Sequence, residues 1–395
     1  MHTSSDGADP SRIRQLNERA VLAALGKSGQ TRVAEIVERT RLGRTAVEKV
    51  LQSLVDRQWL VEEQTSAGAR GRPARTYRFR AEAGYVGGID IGAHSVRAVL
   101  ADLSGQVIAT SRETVTPATR RRNRLRATES ALASCVAEAD ADRSAIWALG
   151  VGTTGVVNRN GQVSSSRAIA DWQGIDLAAH FRSTGTASVI VENDTHLAAV
   201  AEHRRGAARD VPDVVLLQAG RRTGLSTIID GTLRRGFNGA AGNLSTLPMV
   251  RWEAAIEYLH QCSAVPDDTP IRDRAEQVFA AARAGSRPAT VAVRRYVEEL
   301  ALAAAIAIAV VDPQLLVIGG AFSQSADVIL EPLADTLEQA AGQVPELRAS
   351  TLGSDCVALG AVCLALDELD QLLAPTRGPL PELIAQSTLT KSPRR

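Results

Sequence analysis

One pattern, occurring twice, constrains this chain more than any other feature. Residues 85–115, YVGGIDIGAHSVRAVLADLSGQVIATSRETV, alternate as three strands joined by tight turns, with Ser104-Gly105 at one turn and Gly87, Gly88 and Gly92 marking close backbone approaches. Residues 214–236, VVLLQAGRRTGLSTIIDGTLRRG, repeat the hairpin succession. The first meander is followed by a helix over about 124–139, the strand IWALGVG and the strand-helix unit VIVENDTHLAAVAEH. The second is followed by a mostly helical stretch, the strand LLVIGG and a helix from about residue 356. A meander buries its apolar face only when helices cover it, so two such units predict two α/β lobes with a cleft between them.

The residues ahead of the first meander differ in charge. Residues 1–80 hold 15 Lys and Arg against 9 Asp and Glu, a net of +6, while the remainder holds 30 against 35, a net of −5. A basic head on a mildly acidic body points to a polyanionic partner. In the head, residues 12–27 place Ile13, Leu16, Ala20, Leu22, Ala23 and Leu25 on one helical side. RVAEIVERT turns Val33, Ile36 and Val37 inward, and Arg41-Leu42-Gly43 forms a turn. The next helix turns Val47, Val50, Leu51, Leu54 and Val55 inward and Arg44, Thr45, Glu48, Lys49 and Gln52 outward. Two helices about a short Gly-containing turn make a helix-turn-helix, whose second helix enters the major groove. Trp59-Leu60-Val61 and Thr76-Tyr77-Arg78-Phe79 alternate like the strands of a wing. Between them GARGRPAR offers Arg70, Arg72 and Arg75 as a minor-groove probe. Any one of these basic residues taken alone reads first as a solvated surface charge; helix-turn-helix, wing and arginine tip in that order point to DNA. Which outward residues meet bases and which meet phosphates stays open.

Aromatic residues make up only 3% of the chain, so the core must be built from Ala, Val, Leu and Ile. Cys135, Cys262, Cys356 and Cys363 lack metal-binding spacing and read as reduced core thiols. The N-terminal MHTSSDGADPSR has no apolar secretory stretch, and the longest apolar run, residues 300–311, is too short to span a bilayer. A cytoplasmic, nucleoid-associated protein with no membrane partner is expected. The expected divisions are residues 1–82 for the head, 83–190 and 191–373 for the two lobes, and a disordered tail over 374–395. The arginine-rich run 120–126 opens a helix and reads as a solvated face, or as an extra phosphate contact or an interface with the basic head.

The corner VENDTH, residues 191–196, is the main candidate site. A strand runs straight into a helix there, with Asp194 at the junction. Three readings are open for Asp194: a helix N-cap, a ligand contact with Asn193 and Asn243, or a general base held at the rim of the cleft.

The order IDIGAHS, GVGTTGVV, DWQGIDL, VENDTHLAAVAE, RRGFNGAAGNLS, LLVIGGAF resembles the ROK family, which joins repressors and sugar kinases. The resemblance covers nearly the whole chain. The helix-turn-helix and the Gly-Arg-Pro wing ahead of it match the family's repressor branch, that of xylose and N-acetylglucosamine repressors. The fold this implies is α/β: an N-terminal winged helix-turn-helix followed by a two-lobed, actin-like ATPase (ribonuclease H-like) body. In family kinases an Asn-Asp pair holds the sugar, and its Asp takes the proton from the sugar hydroxyl; Asn193 and Asp194 match that pair. Asp90 and Gly92 match the start of the first phosphate motif, but Ala93 and His94 replace its Gly and Thr. Of the second phosphate motif only Gly220, Thr223 and Gly224 remain around Arg221 and Arg222. On the sugar side, Asn243 and Thr246 replace the family's Glu and zinc-binding His, and Ala168 replaces its Asn. The Cys-rich zinc loop is missing. The resemblance therefore implies a repressor that binds a palindromic double-stranded operator as a dimer or tetramer. Its degenerate kinase-like body has no catalytic residue, no cofactor and no structural zinc. That body takes a sugar or sugar-phosphate effector, or an altered ligand, or serves for oligomerisation. The alternative is an active ATP-dependent sugar kinase with an attached DNA module.

Overall fold

The computed structural model describes residues 10–27, 29–64, 75–186, 188–342, 344–374 and 380. The head comprises α1 (Pro10–Leu25), β1 (Thr31–Arg32), α2 (Val33–Thr40), α3 (Arg44–Asp56), β2 (Leu60–Gln64) and β3 (Arg75–Phe79). Its three strands pair antiparallel in the order β1-β3-β2. Val47, Val50, Leu51 and Leu54 recur at helical spacing on α3 and are buried. The turn before α3 differs from its sequence signature. Arg41, not Gly43, takes the left-handed conformation (φ 57°) that ends α2, while Gly43 is extended and precedes α3. Ile13 and Leu16, expected inward, are 46% and 42% exposed. The buried residues of α1 are Glu18, Arg19, Val21, Leu22 and Leu25, because the helix docks its C-terminal half against both α3 and the body.

The body begins with β4 (Tyr85–Ile91), β5 (Ser95–Asp102), β6 (Val107–Thr114), α4 (Arg121–Glu138) and β7 (Ile146–Thr153). It continues through the small hairpin β8 (Val156–Val157) and β9 (Val163–Ser165), then α5 (Leu177–Ser183) and β10 (Ser188–Asn193). The second unit runs α6 (Asp194–Arg205), β11 (Val214–Gln218), β12 (Gly224–Ile229), β13 (Thr232–Leu233), α7 (Trp252–His260), α8 (Ile271–Arg283) and α9 (Arg287–Val311). It closes with β14 (Leu315–Gly319), α10 (Ala326–Ala341), β15 (Glu346–Ala349) and α11 (Cys356–Leu373).

The two large sheets share one topology. The first is ordered β10-β7-β4-β5-β6 and the second β13-β12-β11-β14-β15. In each, an antiparallel meander opens the sheet, and two later strands add parallel to its first strand. The repeated pattern in the sequence is thus a repeated sheet. Two features shift its expected divisions. The boundary at 190 and 191 falls inside β10, which belongs to the first sheet through Asn193. Helix α11, expected in the second lobe, packs on β4 and β7 of the first sheet and on α6. Its backbone lies against the sheet: a Cβ on Gly88 would sit 2.2 Å from the Ala358 carbonyl, and one on Gly150 would sit 2.0 Å from that of Ala361. Only glycine permits that approach.

Helix α11 also joins body to head. Its far end shares a core with Trp59, Leu54 and Phe79 of the head. Arg19 Nη1 donates to the carbonyls of Leu372 and Ala374 at 2.6 and 2.7 Å, Lys27 pairs with Asp370 at 2.7 Å, and Trp59 meets Trp147 edge-on with ring centroids 5.3 Å apart. Leu380, inside the expected tail, is buried in the same core; the rest of the tail beyond Ala374 lies outside the described residues.

Candidate functional site

The corner at VENDTH forms because β10 ends where its neighbour β7 ends, and α6 starts with no intervening loop. The cap of α6 is Asn193, not Asp194. Asn193 is extended (φ −64°, ψ 142°), and its Oδ1 accepts from the backbone N–H of Thr195 at 2.9 Å and of His196 at 3.1 Å. Asp194 is already the first helical residue, and its carboxylate reaches only the Thr195 amide that Asn193 also takes, whereas Asn193 reaches His196 as well. The Asn193 Nδ2 donates to the Gly155 carbonyl at 2.8 Å and to Asp194 Oδ1 at 3.0 Å. The Asn193 amide is therefore fully engaged by the protein. Asp194 Oδ1 also accepts from the Thr195 N–H at 2.9 Å, whereas Oδ2 has no hydrogen-bond partner among the described residues. Burial raises the Asp194 carboxyl to about 6. Asp90, on β4 nearby, is raised to about 7, first by burial and then by the Asp194 charge, with Arg97 opposing.

Asn193, Asp194, Thr195 and Gly155 help wall a cavity of about 340 Å³ between the lobes. It brings together Asn193, Asp194, Asn243, Thr223 and Gly224. Asp90, Gly92 and Gly220 are not in its wall, although Asp90 couples to Asp194 through charge. Asn243 Oδ1 accepts from Ser245 Oγ at 2.8 Å. Gly224 and Leu225 open β12, paired with Gln218 and Leu217, so this stretch is sheet rather than an open phosphate loop. Gly224 is glycine for packing: a Cβ there would lie 2.4 Å from Thr195 Oγ1.

Sequence reasoning missed several wall residues. The hydroxyls of Thr154 and Ser166 are buried, line the cavity and have no partner among the described residues. Glu253 and Trp252 come from the start of α7. The Ser164-Ser165-Ser166 run was the one available signal; the others are brought in by chain elements distant in sequence.

The wall at His196 carries a charge cluster in which His196 and Glu192 are buried and Arg235 is half-exposed. His196 Nδ1 meets Glu192 Oε1 at 2.8 Å, its Nε2 donates to the Ala241 carbonyl at 3.1 Å, and Arg235 Nε pairs with Glu192 Oε2. Both ring nitrogens face acceptors, an arrangement that the imidazolium satisfies. The cluster ties α6 to the segment that leads to Asn243. The run 120–126 is also corrected. Arg124 is fully buried and donates to the Gly92 and Thr116 carbonyls, with Trp172 beneath its guanidinium; Arg121 donates to the Asp171 and Gln173 carbonyls. The first holds the loop after β4 in place and the second braces the loop at Trp172.

In the head, Arg44, Thr45, Glu48, Lys49 and Gln52 all lie on the exposed face of α3. Arg44 pairs with Glu48 at 3.0 Å, Gln52 donates to Asp56 at 2.8 Å, and Arg75 pairs with Glu62 at 3.3 Å. Arg70 and Arg72 lie outside the described residues. Among the described residues no group of three or more His, Cys, Asp and Glu is placed to hold a metal ion, and no helix is long and apolar enough to cross a membrane.

The ROK family pattern matches residues 86–368, most of the chain. This protein belongs to the ROK family. A glucokinase of Streptomyces coelicolor is 27% identical over 70% of this ROK chain and 96% of its own length. A xylose repressor of Caldicellulosiruptor bescii is 21% identical over 90% of this chain and 97% of its own. The DNA-binding transcriptional dual regulator NagC of Escherichia coli is 25% identical, over 80% of this chain and 83% of its own. Among solved structures, a ROK transcriptional regulator described as a homologue of the Escherichia coli MLC protein superposes with a TM-score of 0.69 at 20% identity, covering 92% of this chain and 98% of that one. A Streptomyces griseus ROK glucokinase in complex with glucose and AMPPNP gives 0.63 at 24% identity over 72% of this chain and 100% of its own. These likenesses establish the mixed α/β ROK fold, with its actin-like, kinase-like body.

Proposed function

We propose that this ROK protein is a DNA-binding transcriptional regulator, a repressor, whose cleft takes a polyhydroxyl effector of the sugar class. Its head is a winged helix-turn-helix: α3 lies in the major groove, and the arginine-bearing segment between β2 and β3 enters the minor groove. The observation that carries the reading is the exposed polar face of α3, where Arg44, Thr45, Glu48, Lys49 and Gln52 serve no fold contact that water cannot replace. The near full-length match to a repressor supports it. The effector reading rests on the cavity, where Asp194 Oδ2 keeps no protein partner among the described residues and is left to a ligand. Two chains present two heads to a palindrome. Effector closing the cleft shifts the placement of the heads, and DNA affinity with it, by its differential affinity for the two arrangements.

The test is retention of genomic fragments by the purified protein, followed by titration of a retained site at several salt concentrations. Arg72→Ala and Lys49→Ala should each weaken binding and flatten the salt dependence, by roughly 0.9 in log–log slope per lost phosphate contact. Palindromic sites with that behaviour support the regulator. No retained site, or variants with unchanged affinity and slope, would refute it.

A second reading, sugar kinase, is favoured by one observation: Asp194 keeps a free carboxylate oxygen and titrates near 6, as a general base should. It predicts ATP turnover that disappears in Asp194→Asn. We expect no turnover, because phosphoryl transfer needs a phosphate clamp as well as a base, and the segment in the clamp's place carries two arginines and runs into β12.

A further inference from the structure

We infer that residues 235–241 form a strap that limits how far the cleft opens, with Phe237 against Arg159 as its outer clasp. The inference concerns the motion of the two lobes and does not depend on what the cleft binds.

By chain order the strap belongs to the second lobe. It follows β13, and on either side of it the chain lies on β12. The Arg234 N–H donates to the Thr227 carbonyl at 2.9 Å, and a Cβ on Gly242 would lie 2.0 Å from the Leu225 carbonyl oxygen. The strap closes on itself, because the Ala241 N–H donates to the Arg235 carbonyl at 3.1 Å. Its outward contacts run to the other side of the cleft. At its base, Arg235 pairs with Glu192 near the end of β10, and the Ala241 carbonyl accepts from His196 Nε2 at 3.1 Å on the first turn of α6. Its tip lies on the β8–β9 hairpin of the first lobe. Gly239 is buried there with φ 74°, and a Cβ on it would lie 1.9 Å from the Val157 carbonyl oxygen. Only glycine lets the tip lie that close to the hairpin. Phe237 is 79% exposed and so contributes little to any core, yet the Arg159 guanidinium at the hairpin turn lies 5.2 Å from its ring centroid.

The two ends of this device differ in strength. The base is fastened by the buried Glu192 and His196, which the cleft cannot release without exposing them. The tip is fastened by one backbone approach and one solvent-exposed cation–π contact, which is among the weaker interactions available to a protein. Opening the cleft draws β12 away from the hairpin, so the tip is the part that lets go while the base stays on the β10–α6 corner. Hairpin and strap also supply adjoining pieces of the cavity wall, Gly155 and Val156 from the one and Gly239 and Ala241 from the other. A lifted tip therefore parts that wall. A firm base and a weak tip together make a stop with a release, the arrangement a lobe-closing motion uses to hold one of two positions.

The experiment uses the full chain with nitroxide labels at Arg182→Cys on α5 and Gln261→Cys at the end of α7, both exposed, while the four native cysteines are buried. Double electron–electron resonance reads the distance between the lobes. Wild type should show mainly one distance. Phe237→Ala should raise the population of a longer one roughly two- to fivefold, the scale of an exposed cation–π contact. Arg159→Gln should do the same, and the double variant should go no further than either alone. Arg159→Lys keeps a cation over the ring and should stay closer to wild type. Gly239→Ala should raise the longer population about tenfold or more, because Ala is strained in the left-handed conformation and its Cβ meets the hairpin backbone. Phe237 is exposed, so its replacement spares the fold even where Gly239→Ala does not. Label distances that do not change in Phe237→Ala would overturn the inference. So would shifts that add in the double variant, since the two side chains would then act on the lobes separately.

Discussion

Arg19 offers the sharpest test of how head and body are joined. It is only 1% exposed, and burial lowers its pKa. Its guanidinium closes the C-terminal end of α11 by donating to the carbonyls of Leu372 and Ala374. Substitution by Met keeps the length and much of the volume of the stem but removes the charge and both donors. Each hydrogen bond to a charged group contributes roughly 1.5–3 kcal/mol. Relief from burying a guanidinium offsets part of that, and loss of the charge beside buried Glu18 restores some of the cost. We expect a net loss of about 2–4 kcal/mol in the stability of head docking. Amide hydrogen exchange reads this locally. Protection of α1 and of the last turn of α11 should fall roughly 30-fold or more, since 1.4 kcal/mol is a factor of ten, while β4 and β7 keep their protection. Arg19→Lys should fall between wild type and Met, because ammonium donates to fewer carbonyls in fixed geometry. If α1 exchanges within threefold of wild type in Arg19→Met, the cap does not hold the head to the body and the reasoning fails.

The other expectations concern the cleft. Asp90 has a folded value of about 7 against 3.8 for the free group, so its burial penalty is absent below pH 3.8 and fully present above pH 7. Asp90→Asn should therefore stabilise by an amount that grows across that window to about 2–4 kcal/mol at pH 8, read from urea midpoints; a gain that does not change with pH would refute it. His196 is raised by Glu192, against the opposing effect of burial. Its contribution is complete below the unfolded value of 6.5 and fades as pH rises through the folded value. The stability advantage of wild type over His196→Asn should thus shrink above pH 6.5, and an advantage that widens there would contradict the charged cluster. Asn193→Ala should cost about 1–2 kcal/mol through loss of the α6 cap, whether or not effector is present, by thermal or chemical unfolding. A negligible cost would mean the cap is not structural.

Parts of this structure are legible in the sequence because they depend on residues close in the chain. The alternation of residues 85–115 and 214–236 is a local signal, and it determined both meanders and hence the two lobes. Helical spacing around Val47, Val50, Leu51 and Leu54 determined which face of α3 is wet. The four residues Glu346–Ala349, one exposed and three half-buried, give no such signal, and β15 exists because β14 supplies its hydrogen bonds. Asn193 and Asp194 are equally good caps by composition; only the extended backbone at 193, set by pairing with Thr153, chose between them. Arg124 reads as one of a run of surface charges, yet it faces carbonyls presented from residues 92 and 116 and is buried. Sequence placed the polar and apolar periods and the candidate residues in order along the chain. Tertiary structure decided which polar groups are already satisfied by the protein and which are left without a protein partner, because hydrogen-bond partners and desolvation come from chain segments that sequence proximity does not bring together.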